Sequence, residues 1–89
     1  MNRSHPPRRR YYKPRAEEDL ADLNASDPDL AMIDTAVRAL AAGRKSGYPV
    51  PLQSPFLSAN KRLYQYQAGR YKLNYTLTKT ELTVESVML

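Results

Sequence analysis

Residues 64–89 read YQYQAGRYKLNYTLTKTELTVESVML, and the fold turns on how this stretch is parsed. Aromatic and β-branched residues alternate with polar and basic ones, the period-two pattern of strands with one buried face. Gly69 and the Lys79-Thr80 pair break the run twice. Three strands are therefore expected, Leu63 to Gln67, Arg70 to Thr78 and Glu81 to Leu89, joined by turns around Ala68-Gly69 and Lys79-Thr80. In the middle strand Tyr71, Leu73, Tyr75 and Leu77 should face one way, and Arg70, Lys72, Asn74 and Thr76 the other.

Register decides what joins Lys72. A two-residue Ala68-Gly69 turn sets Gln65 opposite Lys72 and sends Tyr64 and Tyr66 to the apolar face; this is the favoured reading. A three-residue turn would instead bring Arg62, Tyr64 and Tyr66 beside Arg70 and Lys72. In the last strand the alternation through Leu82 and Val84 changes phase before Val87 and Leu89, which predicts a bulge near Glu85 or Ser86.

Upstream, two helices are expected. The segment PRAEEDLADLN (14–24) has proline in its first turn, acids near the positive end of the helix dipole, and Ala16, Leu20 and Leu23 on one stripe. The segment SDPDLAMIDTAVRALAAG (26–43) offers Asp27 as N-cap, Pro28 at N1 and Gly43 at the left-handed C-terminal position. Leu30, Ile33, Val37 and Leu40 recur at spacings of three and four and are expected in the core. Asn24-Ala25-Ser26 would join the two as a helical hairpin.

Before the helices, RRRYYK (8–13) reads as a short edge strand closed by Pro14. Between the helices and the meander, Arg44 to Asn60 carries Gly47, Pro49, Pro51 and Pro55, which argues for an irregular crossing. Tyr48, Val50, Leu52, Phe56 and Leu57 are expected to pin that crossing to the core. The fold class that results is α+β: a short N-terminal strand, a two-helix hairpin, then a three-stranded antiparallel β-meander. Residues 1–8 read as a flexible basic tail and residues 9–89 as a single domain.

Composition narrows the chemistry. Eighty-nine residues support one modest core. No cysteine is present, so there is neither a disulfide nor a thiolate metal site. The lone histidine, His5, lies in a polar segment with no second ligand near it, and no metal or cofactor is expected. Lacking an apolar leader of about 7–15 residues or a membrane-length run, the chain is expected to be cytoplasmic, with no membrane partner. The net charge of +5 is segregated: residues 1–15 hold six bases and no acid, residues 16–36 seven acids and no base, and residues 37–89 eight bases against two acids. Blocks of this kind make basic surfaces suited to phosphate backbones or acidic partners.

The order strand, two helices, loop and three antiparallel strands resembles the RelE/ParE superfamily of bacterial toxins. Two segments are similar in sequence as well. KPRAEEDLADL (13–23) resembles the ParE-type start of the first helix, and GRYKLNYTLTKTELTVESVML (69–89) resembles the family's pattern of glycine, aromatic, basic residue, apolar residue, any residue and tyrosine.

The resemblance implies a toxin of a toxin-antitoxin pair, active on mRNA at the ribosome or on DNA gyrase and neutralised by a cognate antitoxin. RelE-like members are mRNA endoribonucleases; ParE-like members poison gyrase without cutting RNA. Lys72 falls where RelE-like toxins place a strand arginine that stabilises charge on the reacting phosphate, with Arg70 and Arg62 as its companions. Lys61, Gln65, Tyr64, Tyr66 and Asn74 would then contact nucleic acid or target. Leu63 and Gln65 stand where the RelE strand carries two lysines, and the chain stops at Leu89, where RelE-like toxins continue into a basic and aromatic tail; both departures lean toward binding without cleavage. A non-catalytic α+β RNA-binding or phage-type inhibitor domain is the alternative.

Overall fold

Two helices lie across one face of a five-stranded mixed sheet in the computed structural model, which describes residues 6–50 and 62–89. The elements in order are β1 (Arg9–Tyr12), α1 (Pro14–Asp22), α2 (Asp27–Ala41), β2 (Tyr48–Pro49), β3 (Leu63–Ala68), β4 (Tyr71–Leu77) and β5 (Glu81–Met88). Spatially the sheet runs β1-β5-β4-β3-β2, parallel between β1 and β5 and antiparallel elsewhere. The α+β class, the helical hairpin and the meander are therefore present. β2 adds a strand that was not expected: Tyr48 pairs Gln65 and Pro49 pairs Tyr64 in a crossing read from sequence as irregular. A proline is tolerated there because β2 lies at the edge of the sheet, where one side of the strand needs no donor.

Pro14 serves both roles its position allowed, since β1 ends at Tyr12 and Pro14 opens α1. The cap of α2 is Ser26, one residue earlier than expected. Ser26 Oγ accepts from the Asp29 N–H at 3.2 Å, and Asp29 Oδ2 accepts from the Ser26 N–H at 3.3 Å, forming a capping box. Asp27 and Pro28 thus fall inside the first turn. Gly43 does take the left-handed conformation after the helix, with φ of 77°.

The core forms where α1 and α2 meet the sheet. Ala16, Ile33, Val37, Leu40 and Ala41 pack with Tyr71, Leu73, Tyr75, Leu82, Val84 and Val87. Burying each large aliphatic side chain is worth about 1.5–3 kcal/mol before conformational entropy is set against it. Leu20 and Leu23 are partly buried against this cluster. Leu30 departs from the expected stripe and is 40% exposed. At its end of α2 the sheet offers no aliphatic surface: the Tyr71 hydroxyl and Arg70 meet Asp29, and Gly69 lies beneath Met32. Tyr48, expected to anchor the crossing, is 76% exposed, whereas Val50 is partly buried. Leu52, Phe56 and Leu57 fall outside the described residues.

Hairpin register required correction. The β3–β4 turn has two residues, but they are Gly69-Arg70, so Gln67 and not Gln65 stands opposite Lys72, and Ala68 pairs Tyr71. Gly69 has φ of 59°, the positive value a tight hairpin needs at its first central position. A slip of two leaves side chains on the same face, so Tyr64 and Tyr66 still pack toward the helices. Tyr64 stacks on Tyr75 with ring centroids 5.5 Å apart.

The bulge in β5 is where the phase change placed it. Asn74 pairs Ser86 and Tyr75 pairs Val84, which leaves Glu85 without a partner residue in β4. On its other side β5 is paired by β1 only through Val84, and the Lys13 N–H continues to the Val84 carbonyl at 3.0 Å. Farther along, the Val87 N–H donates to Asp19 Oδ2 of α1 at 2.9 Å, so a helix carboxylate satisfies the strand where β1 has ended. Arg8, assigned to the tail from sequence, is already tied down: its N–H reaches the Ala41 carbonyl at 3.0 Å and its Nε the Thr78 carbonyl at 2.7 Å.

Candidate functional site on the outer face of the sheet

Because side chains alternate along a strand, burying Tyr71, Leu73 and Tyr75 beneath the helices forces Lys72, Asn74 and Thr76 onto the opposite face. Pairing extends that face across Gln67, Gln65 and Leu63 of β3 and across Met88, Ser86 and Thr83 of β5. Its centre is a ladder of amides and hydroxyls. Gln65 Nε2 donates to Asn74 Oδ1 at 2.9 Å, and Asn74 Nδ2 donates to Ser86 Oγ at 3.0 Å. One step along, Thr76 Oγ1 donates to Glu85 Oε2 at 2.8 Å, and Glu85 Oε1 pairs with Lys13 Nζ at 2.8 Å. Glu85 continues the outward alternation of Thr83, and the bulge brings the next residue, Ser86, onto the same face, so that both serve the ladder.

Asn74 and Thr76 are only 7% and 2% exposed. Groups so enclosed need internal partners, which the ladder provides. Gln65 and Asn74, two of the expected target-binding residues, are thus brought together and spend polar atoms on each other and on Ser86. Lys72 is half-buried on the same face, between Gln67 and Met88, and forms no ion pair among the described residues.

The two arginines expected beside Lys72 lie elsewhere. Arg70, on the hairpin turn, donates from Nη2 to the Tyr71 hydroxyl at 3.0 Å and lies 3.6 Å from Asp29 Oδ2, with its guanidinium 5.1 Å from the centre of the Tyr71 ring. The Tyr71 hydroxyl in turn donates to Asp29 Oδ2 at 2.7 Å. That bond, followed by the one from the Ser26 N–H, holds the Asp29 carboxyl below its ordinary range, and Arg70 adds to the effect. The Tyr71 hydroxyl likewise favours the charged form of Arg70. Arg62 is exposed immediately before β3, at the end of the hairpin remote from Lys72. Gln67, the partner of Lys72, is five residues along the strand from Arg62, or about 16 Å at 3.3 Å per residue. Lys61 falls outside the described residues. Tyr64 and Tyr66 lie on the helix side of the sheet, partly buried against the core.

The expected cations therefore lie in three separate places. A phosphate resting on Lys72 would meet neutral amides as neighbours. Among the described residues no group of three His, Cys, Asp or Glu side chains could hold a metal ion, and no helix is long and apolar enough to cross a membrane. A second charged cluster escaped the sequence reading: Asp34 of α2 pairs with Arg38 at 3.0 Å and with Arg10 of β1 at 3.6 Å, beside Tyr12. Burial, with Asp34 adding to it and Arg10 opposing, pushes the Tyr12 hydroxyl up to about 12. The arginine run in 8–10 was its available signal, but nothing local ties that run to Asp34. Compared with known proteins, the chain matches no family model and no curated sequence.

Proposed function

We propose that the chain is a RelE/ParE-like toxin that acts by docking its outer sheet face on a nucleic-acid-associated target and that a cognate antitoxin neutralises it. Element order supports this reading: one strand, a helical hairpin, a two-residue edge strand, then three antiparallel strands with a basic residue at Lys72. The observation that favours docking over cleavage is the separation of Lys72, Arg70 and Arg62. Cleaving RNA without metal or histidine requires several cations aimed at one developing charge. A lone lysine provides a point charge without the bidentate fork of arginine. Docking needs only a polar face with positive potential. An antitoxin segment would place its acids opposite Lys72; at Arg70 it would have to compete with Asp29.

Inducible expression in bacteria tests the proposal, with growth, primer extension on mRNA and gyrase supercoiling followed in parallel. Growth arrest without mRNA cuts, relieved by the product of a neighbouring reading frame and weakened by Lys72→Ala, is the expected result. Ribosome-programmed cleavage that disappears in Lys72→Ala would replace docking with ribonuclease action. Unimpaired growth would remove the toxin reading and leave a non-catalytic RNA-binding or inhibitor domain. Lys72 is outside the core, so Lys72→Ala should alter folding stability by no more than about 0.5 kcal/mol, and lost function would not reflect unfolding.

A further inference from the structure

We infer that the arginine-lined cleft between β1 and the C-terminal half of α2 binds the phosphate backbone of a nucleic acid. The cleft has a volume of about 710 Å³ and is lined by Arg8, Arg9 and Arg10 from the start of the domain and by Arg38 and Arg44 from the end of α2 and just beyond it. Asp34 is the sole carboxylate among the described lining residues, and because alternation along β1 turns the Arg9 side chain away from α2, Arg8, Arg10, Arg38 and Arg44 leave three positive charges uncompensated. Solubility charges are spread over convex surface; these converge on a hollow large enough for a nucleotide unit.

Three of these arginines are also held in place. Asp34 fixes Arg10 and Arg38, while the Thr78 carbonyl accepts from Arg8 Nε. Arg44 forms no ion pair among the described residues. Guanidiniums positioned beforehand lose little further freedom when they bind, and their planar forks match phosphate oxygens two at a time. The Tyr12 hydroxyl in the same lining stays protonated well above neutral pH and can donate.

The lining also favours phosphate over an acidic protein segment. Protein interfaces are organised around buried apolar anchors. Among the described residues no Leu, Ile, Val, Met or Phe lines this cleft; its remaining walls there are Pro7, Ala41 and Ala42. Attraction here is almost purely electrostatic, as in sequence-independent backbone binding. The basic surface also continues past the cleft: an adjoining groove shares Arg8 and Arg9 and adds Lys79. A row of this kind suits a polymer with a regular spacing of charges.

The site is separate from the outer sheet face, so the inference stands or falls independently of the toxin reading. Fluorescence anisotropy with a labelled single-stranded RNA and a DNA duplex of the same sequence, titrated at several salt concentrations, is the test. Arg8→Ala and Arg44→Ala should each weaken binding irrespective of base sequence. Each should also lower the slope of log affinity against log salt by about 0.7 for RNA or about 0.9 for the duplex. Arg15→Ala, which removes an exposed arginine of α1 outside the cleft, should change neither. Arg44→Glu should give a larger loss than Arg44→Ala, and circular dichroism would establish that each variant is folded. Preference for RNA or for duplex identifies the nucleic acid, and either supports the site. Absence of binding by the wild type, an equal loss in Arg15→Ala, or competition by polyglutamate as effective as by unlabelled RNA would overturn the inference.

Discussion

The Tyr71 hydroxyl donates a 2.7 Å hydrogen bond to Asp29 Oδ2 and thereby ties the start of the central strand to the first turn of α2, 42 residues earlier in the chain. The same carboxylate oxygen closes the capping box with the Ser26 N–H, while Arg70 approaches from the hairpin turn. One side chain thus serves helix initiation, hairpin docking and the placement of a cation that strand alternation assigned to the outer face.

Tyr71→Phe removes the hydroxyl and keeps the buried ring. Asp29 is left partly in contact with water and retains Ser26 and Arg70, so no isolated buried charge results. Stability should fall by about 1 kcal/mol, the scale of one hydrogen bond. Urea denaturation would show a lower midpoint with an unchanged slope.

Asp29 should contribute to the acid limb of the stability curve. Its folded-state pKa is depressed, chiefly by the Tyr71 hydroxyl, so its contribution is fully present above the unfolded carboxylate value of 3.8 and is lost as pH falls through the folded one. Asp29→Asn should be less stable near neutral pH and show a shallower decline on acidification. Denaturant midpoints measured through that pH range would check it; an identical acid slope in both proteins would rule it out.

Tyr12 predicts the opposite limb. Its hydroxyl is raised, first by burial and then by Asp34, so the neutral form is favoured on folding. That contribution is intact below the ordinary tyrosine value of 10.0 and is lost as pH rises through about 12. Tyr12→Phe should unfold less readily than the wild type in this alkaline window. The deprotonation of tyrosine can be followed by ultraviolet absorbance alongside circular dichroism.

Gly47 is required for space. A Cβ there would lie 2.5 Å from the Gln65 carbonyl oxygen and 2.7 Å from Tyr75 Oη, and the Gly47 N–H already donates to that hydroxyl at 2.8 Å. Backbone cannot yield as a flexible side chain would, so Gly47→Ala should push the chain off β3 and break the bond to Tyr75. A loss of about 1–3 kcal/mol is expected, the range for overpacking, with faster amide exchange at Tyr48 and Val50. A thermal midpoint equal to the wild type would show that the segment moves freely.

Local physics made much of this architecture legible in the residues themselves. Proline and capping side chains marked the helix starts, and Gly43 marked the end of α2; the one-residue error at Ser26 arose because both Ser26 and Asp27 are good caps and only the reciprocal bond with Asp29 separates them. Period-two alternation assigned Tyr71, Leu73 and Tyr75 to the core and Lys72, Asn74 and Thr76 to the other face, and a break in it located the bulge at Glu85. Tertiary structure alone decided which residues meet across strands. Sliding β3 by two residues against β4 leaves each side chain on its own face, so no pattern of polarity distinguishes Gln65 from Gln67 as the partner of Lys72. The choice falls to packing, where Gly69 fits under Met32 and Arg70 reaches Asp29. The same holds for the arginine cleft: the run at 8–10 and the pair Arg38 and Arg44 are far apart in the chain, and only the docking of β1 between β5 and α2 gathers their charges around one hollow. Periodicity and capping are properties of neighbours along the chain, whereas register and charge convergence depend on contacts between segments whose sequences carry no record of each other.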